Sequence, residues 1–240
     1  MSELERLLDE ISDFYDPSSI EEDFDSAFKI HHAEKIQKNL SGEKILELGC
    51  STGLSTHLLD NGINHLEVVE GSIKNIEAAK KNFDFKNVTF THSLWENFHF
   101  SKTYSDVLLV DTIQMVQDRE SLFKKIKNCM TKDSKFHIIA PNNNSFHRLL
   151  GIEMNLIKNI DDQSERDQKV SATQDLDWES CRELLDKNDF KIVYEEGILF
   201  KLFDNNKMSK LEPQIVDALF KLGNKFKDIS AHMYFCCKLK

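Results

Sequence analysis

The stretch KILELGCSTGLSTHLL, residues 44–59, constrains this chain more than any other. A run of branched apolar residues reads as a buried strand; two glycines four apart follow, and the spacing then turns helical. Gly49 can take backbone angles closed to other residues and lets a ligand approach the main chain, while Gly53 allows close packing where the helix begins. Glu47 stands two residues before Gly49, giving E-x-G-x-x-x-G. The dinucleotide fingerprint is G-x-G-x-x-G, with phosphate at a helix N-terminus, and Ser51 at the middle position departs from that cradle.

The alternation continues downstream. EKILEL (43–48), HLEVVE (65–70), NVTFTH (87–92), SDVLLVD (105–111) and KFHIIAP (135–141) read as strands. Helices are expected over 53–62, ending at Gly62, over 72–83 with Ser72 as N-cap, and over 119–130. After Pro141, helices are expected at 145–157, 177–188 and 211–226, a polar loop at 158–175, and strands at 190–197 and 230–239. Strand–helix alternation with short links argues an α/β, Rossmann-like, doubly wound sheet. Seven strands are expected, mostly parallel, with an antiparallel last strand. Residues 1–40 read as a helical N-terminal cap, with 41–240 as the main domain.

Composition excludes several classes of function. With 41 acidic against 31 basic side chains, a net charge of -10 repels polyanions, so no nucleic-acid partner is expected. No apolar run approaches the roughly 18 residues of a membrane span. The acidic start MSELERLLDEISDFYD does not read as a signal peptide. The five cysteines form no C-x-x-C pair and the nine histidines no H-x-x-x-H or H-E-x-x-H spacing, so neither a metal nor a disulfide framework is expected. A reducing, cytoplasmic setting follows from that reading.

Three carboxylates mark strand ends: Glu47 in the first, Glu70 in the second and Asp111 after the fourth. In an open parallel sheet these ends surround the ligand crevice. A carboxylate at Glu70 can accept from two ribose hydroxyls. Together the three suit a cationic ligand without phosphates, such as a sulfonium bearing an amino-acid ammonium.

ILELGCSTG, VVEGS and SDVLLVDTIQMVQDRESLFKKIKNCMTKDSKFHIIAPN together resemble a class I S-adenosylmethionine-dependent methyltransferase over about residues 40–142. The resemblance implies S-adenosylmethionine as cofactor. It places Glu47, Gly49, Cys50, Ser51 and Gly53 at the methionine end, Glu70 on the ribose, and Gly71 and Ser72 beside the adenosine. Ser93, Leu94 and Trp95 would edge the adenine, with Asp111 and Thr112 across the crevice. Apart from the resemblance, Tyr15, or His31 and His32, in the cap could close over the cofactor as a lid, and an amphipathic packing helix explains them equally well. More narrowly, APNNNSFHRLLGIEMNLI and VDALFKLGNKF resemble methyltransferases of bacterial surface-polysaccharide (capsule or lipopolysaccharide) biosynthesis. That resemblance implies a small acceptor, sugar- or nucleotide-linked, with 143–189 as an acceptor-side insertion. Relatives often carry Glu-His after the fourth strand and a Gly-His-Arg-Arg-like segment before the late helix. Here Gln114-Met115 and KVSATQDL stand instead, which leaves the acceptor open.

Methyl transfer from a sulfonium is an in-line displacement that asks mainly for alignment. A hydroxyl acceptor also gains from a general base, worth roughly 10²–10⁴-fold. His147, after the fifth strand, is the candidate base. His137, among apolar neighbours in a strand, reads as a core residue, and His31 and His32 as part of the cap. Two other readings remain: an NAD-dependent oxidoreductase, and a cofactor-binding partner or scaffold subunit without activity. The oligomeric state is open, a homodimer being one option.

Overall fold

The computed structural model describes residues 3–12, 24–61, 63–163, 168, 173 and 175–240. Its centre is a seven-stranded sheet in the order β3-β2-β1-β4-β5-β7-β6. The strands are β1 (Lys44–Leu48), β2 (His65–Glu70), β3 (Val88–His92), β4 (Tyr104–Val110), β5 (Met130–Pro141), β6 (Phe190–Ile198) and β7 (His232–Leu239). β1 to β5 pair in parallel, and β7 runs antiparallel between β5 and β6. The strand order reverses between β1 and β4, so the crevice of a doubly wound sheet opens beyond Leu48 and Val110.

Alternate residues feed opposite faces, as a two-residue period requires. Leu46, Leu48, Val107, Leu109, Phe136 and Ile138 join one buried cluster. Helices α5 (Arg119–Asn128) and α7 (Trp178–Lys187) cover it with Phe123, Ile126, Trp178 and Leu185. Ile45, Leu66, Val68, Leu108 and Ile139 join the other. That face is covered by α2 (Phe24–Gln37), α3 (Leu54–Asp60) and α9 (Pro213–Lys225), through Phe28, Ile36, Leu59 and Phe220. Helix α4 (Ile73–Asn82) follows β2, α6 (Phe146–Glu153) follows β5, and α8 (Asn205–Met208) precedes α9. Helix α1 (Glu3–Ser12) forms a small cluster of its own, Ile11 with Leu7, Leu8 and Met115.

Some bounds differ from the sequence expectation. The first crossover helix stops at Asp60, capped at Asn61, and Gly62 lies outside the described residues. The helix after Pro141 ends at Glu153, because Asn155 turns left-handed at φ 56. β5 begins at Met130 rather than Lys135, since Tyr104 pairs with Met130 before an irregular step in register. His137 is a core residue, its ring nitrogens 2.9 Å from the Tyr234 hydroxyl and 3.0 Å from Asp106 Oδ1. All five cysteines are free and buried. Among the described residues no helix is long and apolar enough to cross a membrane.

Candidate active site

The turn after β1 is left-handed at three places, Gly49 (φ 83), Ser51 (φ 51) and Gly53 (φ 85). Two of these require glycine on space as well as angle. A Cβ on Gly49 would stand 2.9 Å from Thr112 Oγ1, and one on Gly53 2.5 Å from the Ala79 Cβ. The first lets the turn close against the end of β4, and the second lets α3 start in contact with α4.

The end of β2 fastens this turn. Glu70 Oε2 accepts the backbone N–H of Cys50 at 2.9 Å and of Ser51 at 3.1 Å. Oε1 accepts the Ser72 N–H at 2.9 Å and Asn75 Nδ2 at 3.3 Å. A carboxylate offers about four lone-pair sites, so all four are engaged. Ribose hydroxyls would therefore have to share or displace these donors. Ser72 caps α4, its hydroxyl accepting from the Asn75 N–H and donating to Asp9 Oδ1 at 2.6 Å. That second bond ties α1 to the rim of the crevice.

Glu47 is buried and takes the Thr56 hydroxyl at 2.8 Å. Burial pushes its carboxyl up to about 7; the Thr56 hydrogen bond opposes the rise and the nearby Glu70 charge adds to it. The group is thus poised to lose its proton when a cation arrives beside it. Burial, with Glu70 and Glu47 close by, pushes the Cys50 thiol well up, so it is no nucleophile.

These groups face a cavity of about 840 Å³. Glu47, Gly49, Cys50, Ser51, Glu70 and Gly71 line its β1–β2 side. Ser93, Leu94 and Trp95 line it beyond β3, Asp111 and Thr112 beyond β4, and His147 beyond β5. Gly53 and Ser72 do not reach it and act from behind the turn. Tyr15 lies outside the described residues. The Ser51 hydroxyl is buried with no hydrogen-bond partner, a polar atom awaiting a ligand. Glycine at 71 admits α1, since a Cβ there would stand 2.5 Å from Leu8 Cδ1. Leu4, Leu7, Leu8 and Ile11 line the same cavity and roof it with apolar surface. Their spacing is that of one helical face, a signal already present in the sequence.

Beyond β5, burial holds His147 down to about 2, helped by Lys201 and Arg148, and its Nδ1 has no hydrogen-bond partner. Two further histidines meet Asp111, which sequence reasoning did not bring together. His32 Nδ1 is 3.3 Å from Asp111 Oδ2, and His232 Nδ1 is 3.3 Å from Asp111 Oδ1. His232 Nδ1 is also 3.0 Å from His32 Nε2. Burial holds His232 down to about 4, against the pull of Asp111, so it is neutral near pH 7. Asp111 itself sits at φ 48, a left-handed angle unusual outside glycine.

The donor set suits a sulfonium nucleoside: a glycine-lined approach, buried carboxyl groups, an orphaned hydroxyl and an apolar roof. The comparisons with known proteins agree. Residues 39–218 match the family model described as a methyltransferase domain. A Thermotoga maritima S-adenosylmethionine-dependent methyltransferase, a possible histamine N-methyltransferase, superposes with a TM-score of 0.69 at 19% identity, over 98% of this chain and 99% of that one. The chain in complex with the Haloferax volcanii Trm112 methyltransferase activator gives 0.65 at 12% identity, over 100% and 98%. DhpI, solved with SAH, gives 0.63 at 13% identity, over 98% and 94%. No curated protein matches the sequence.

Proposed function

The chain belongs to the methyltransferase-domain family and its cofactor is S-adenosylmethionine; from this premise we propose that it methylates a hydroxyl or amine of a small, sugar- or nucleotide-linked acceptor. A place in bacterial surface-polysaccharide biosynthesis, in a cytoplasmic setting, is part of the same proposal. It rests on the resemblance carried by residues 140–157 and 216–226 and on the absence of disulfides among five buried thiols.

One observation carries the reading: Glu70 and the Cys50–Ser51 backbone lock the turn beside a cavity that has Glu47 on one wall and Asp111 on another. When bound, the cofactor supplies the methyl group on a sulfonium, its own leaving group. The protein's work is then placement and charge. Glu47 and Asp111 favour a cation in the crevice. The apolar face of α1 keeps water from it. The cavity volume lies in the upper part of the roughly 300–1,000 Å³ usual for ligand pockets, enough for a nucleoside cofactor with a small acceptor.

The far wall carries mixed polarity: Lys29, Lys201, Asp204, Asn205, Arg148 and His147. Leu150, Met154, Ile157, Leu202 and Phe203 stand among them, so the wall can take an acceptor that has both hydroxyl groups and an apolar face. We assign His147 to this acceptor. Its imidazole stays neutral and too weakly basic to hold a proton near pH 7, so it orients a hydroxyl or amine by accepting a hydrogen bond, and the acceptor's proton leaves to solvent.

Release of S-adenosylhomocysteine, followed over a panel of sugars, sugar nucleotides and amines, tests the proposal. Turnover with a sugar- or nucleotide-linked acceptor, reduced at least tenfold by His147→Ala, supports it. Turnover confined to protein or nucleic-acid acceptors would refute it.

A further inference from the structure

We propose that His32, Asp111 and His232 bind a divalent transition-metal ion at the wall of the acceptor cavity. They come from α2, the end of β4 and the start of β7, and the topology alone makes them neighbours. One donor atom from each can be chosen so that all three lie within 4.8 Å of one another. Asp111 Oδ2 is 3.3 Å from His32 Nδ1 and Oδ1 is 3.3 Å from His232 Nδ1, while the 3.0 Å approach of His232 Nδ1 is to the other nitrogen of His32, Nε2, so the His32 ring ligates through one nitrogen and the three donors draw together by up to about 1.5 Å when the ion binds. Ligands about 2.1 Å from a common ion stand roughly 3.0–3.4 Å apart in octahedral or tetrahedral geometry.

Hydrogen bonding alone accounts poorly for this arrangement. His32 is wholly buried, and its Nδ1 makes no hydrogen bond although Asp111 Oδ2 is 3.3 Å away. A buried imidazole nitrogen without an aligned partner is costly unless something else takes its lone pair or proton. Asp111, at a left-handed φ of 48, presents one carboxylate oxygen to each ring. Phe28 fixes the His232 ring by stacking on it at 4.3 Å and 15°.

Two imidazole nitrogens and one carboxylate oxygen select borderline ions such as Zn²⁺, Co²⁺, Ni²⁺ or Fe²⁺ over Mg²⁺ and Ca²⁺, which prefer all-oxygen sites. Asp111 and His232 line the cavity while His32 lies behind them. The ion therefore keeps coordination positions on the cavity side, where a hydroxyl or amine of the acceptor can bind and be aligned. That purpose rests on the proposed methyl transfer; the binding of the ion does not.

The test needs neither cofactor nor acceptor. Protein stripped with a chelator is dialysed against Co²⁺ or Zn²⁺, with visible Co²⁺ absorption and calorimetry as readouts. One equivalent should bind, and Mg²⁺ should not compete. His232→Gln and Asp111→Asn, each checked for an unchanged fold by circular dichroism, should bind at least tenfold more weakly. Less than one equivalent in the wild type, or unchanged binding in both variants, would overturn the proposal and leave the three groups as a hydrogen-bonded network. S-adenosylhomocysteine titrated separately into the stripped protein distinguishes this failure from a failure of the methyltransferase reading.

Discussion

The Glu70 carboxylate accepts the backbone N–H of Cys50 at 2.9 Å, so the end of the second strand holds the turn that leaves the first. The same oxygen takes Ser51, and its twin takes Ser72 and Asn75. One side chain thus fixes both backbones that border the crevice.

Removing it should therefore act on fold and ligand together. Charge-assisted hydrogen bonds of this kind contribute about 1.5–3 kcal/mol, and Glu70→Ala is expected to cost about that much stability. Cofactor affinity should fall at least tenfold, with Glu70→Gln intermediate. Urea unfolding and calorimetry check both; a variant with unchanged stability and affinity would show that the turn holds itself.

Gly53 provides a purely steric test. Alanine there places a Cβ 2.5 Å from that of Ala79 at a φ of 85°, so α3 and α4 must part. The expected loss is about 1–3 kcal/mol. Gly42→Ala is the control: φ is 88° but nothing lies within 4 Å of the added carbon, so only the backbone cost of about 1 kcal/mol remains. Equal losses in chemical denaturation would contradict the packing argument.

Glu47 predicts a pH dependence. Its folded pKa, about 7, lies above the ordinary 4.5, so the folded state holds the proton more tightly. Its contribution to stability is full below about 4.5 and is lost as pH rises through 7. The cationic cofactor prefers the ionised carboxylate, so its affinity should rise from pH 6 to pH 8, by up to about tenfold per unit on the acid side. Glu47→Gln should flatten that rise in calorimetric titrations at constant ionic strength.

The roof offers a milder perturbation. Asp9 accepts from the Ser72 hydroxyl at 2.6 Å, joining α1 to the cap of α4. Asp9→Ala should weaken cofactor binding about 3- to 10-fold while moving the melting midpoint little, because α1 adds few contacts to the two main cores. A large fall in melting temperature with intact binding would contradict the role of α1 as a cover.

Much of the fold was legible because buried strands announce themselves. HLEVVE matches β2 residue for residue, and Ser72 caps α4 as its position before an amphipathic run implied. The glycine turn was legible because only glycine tolerates what Gly49 and Gly53 must do. The site was legible where it follows strand ends and illegible where distant segments meet. Glu70 reads in sequence as a ribose ligand; that its four acceptor sites hold the neighbouring turn is a tertiary fact. His32, Asp111 and His232 share no local spacing, so their meeting is a tertiary fact that the sequence does not announce. Helix α1 is the intermediate case, its apolar stripe visible at Leu4, Leu7, Leu8 and Ile11 but its target supplied by the glycine at 71.

The most direct measurement is a crystal structure of the wild-type chain grown with S-adenosylhomocysteine. The account predicts density for the ligand in the crevice between Gly49 and Asp111, its amino-acid end beside Ser51 and Glu47 and its base against Leu94 and Trp95. Clear density for the nucleoside at any other place, or an empty crevice at saturating ligand, would contradict it.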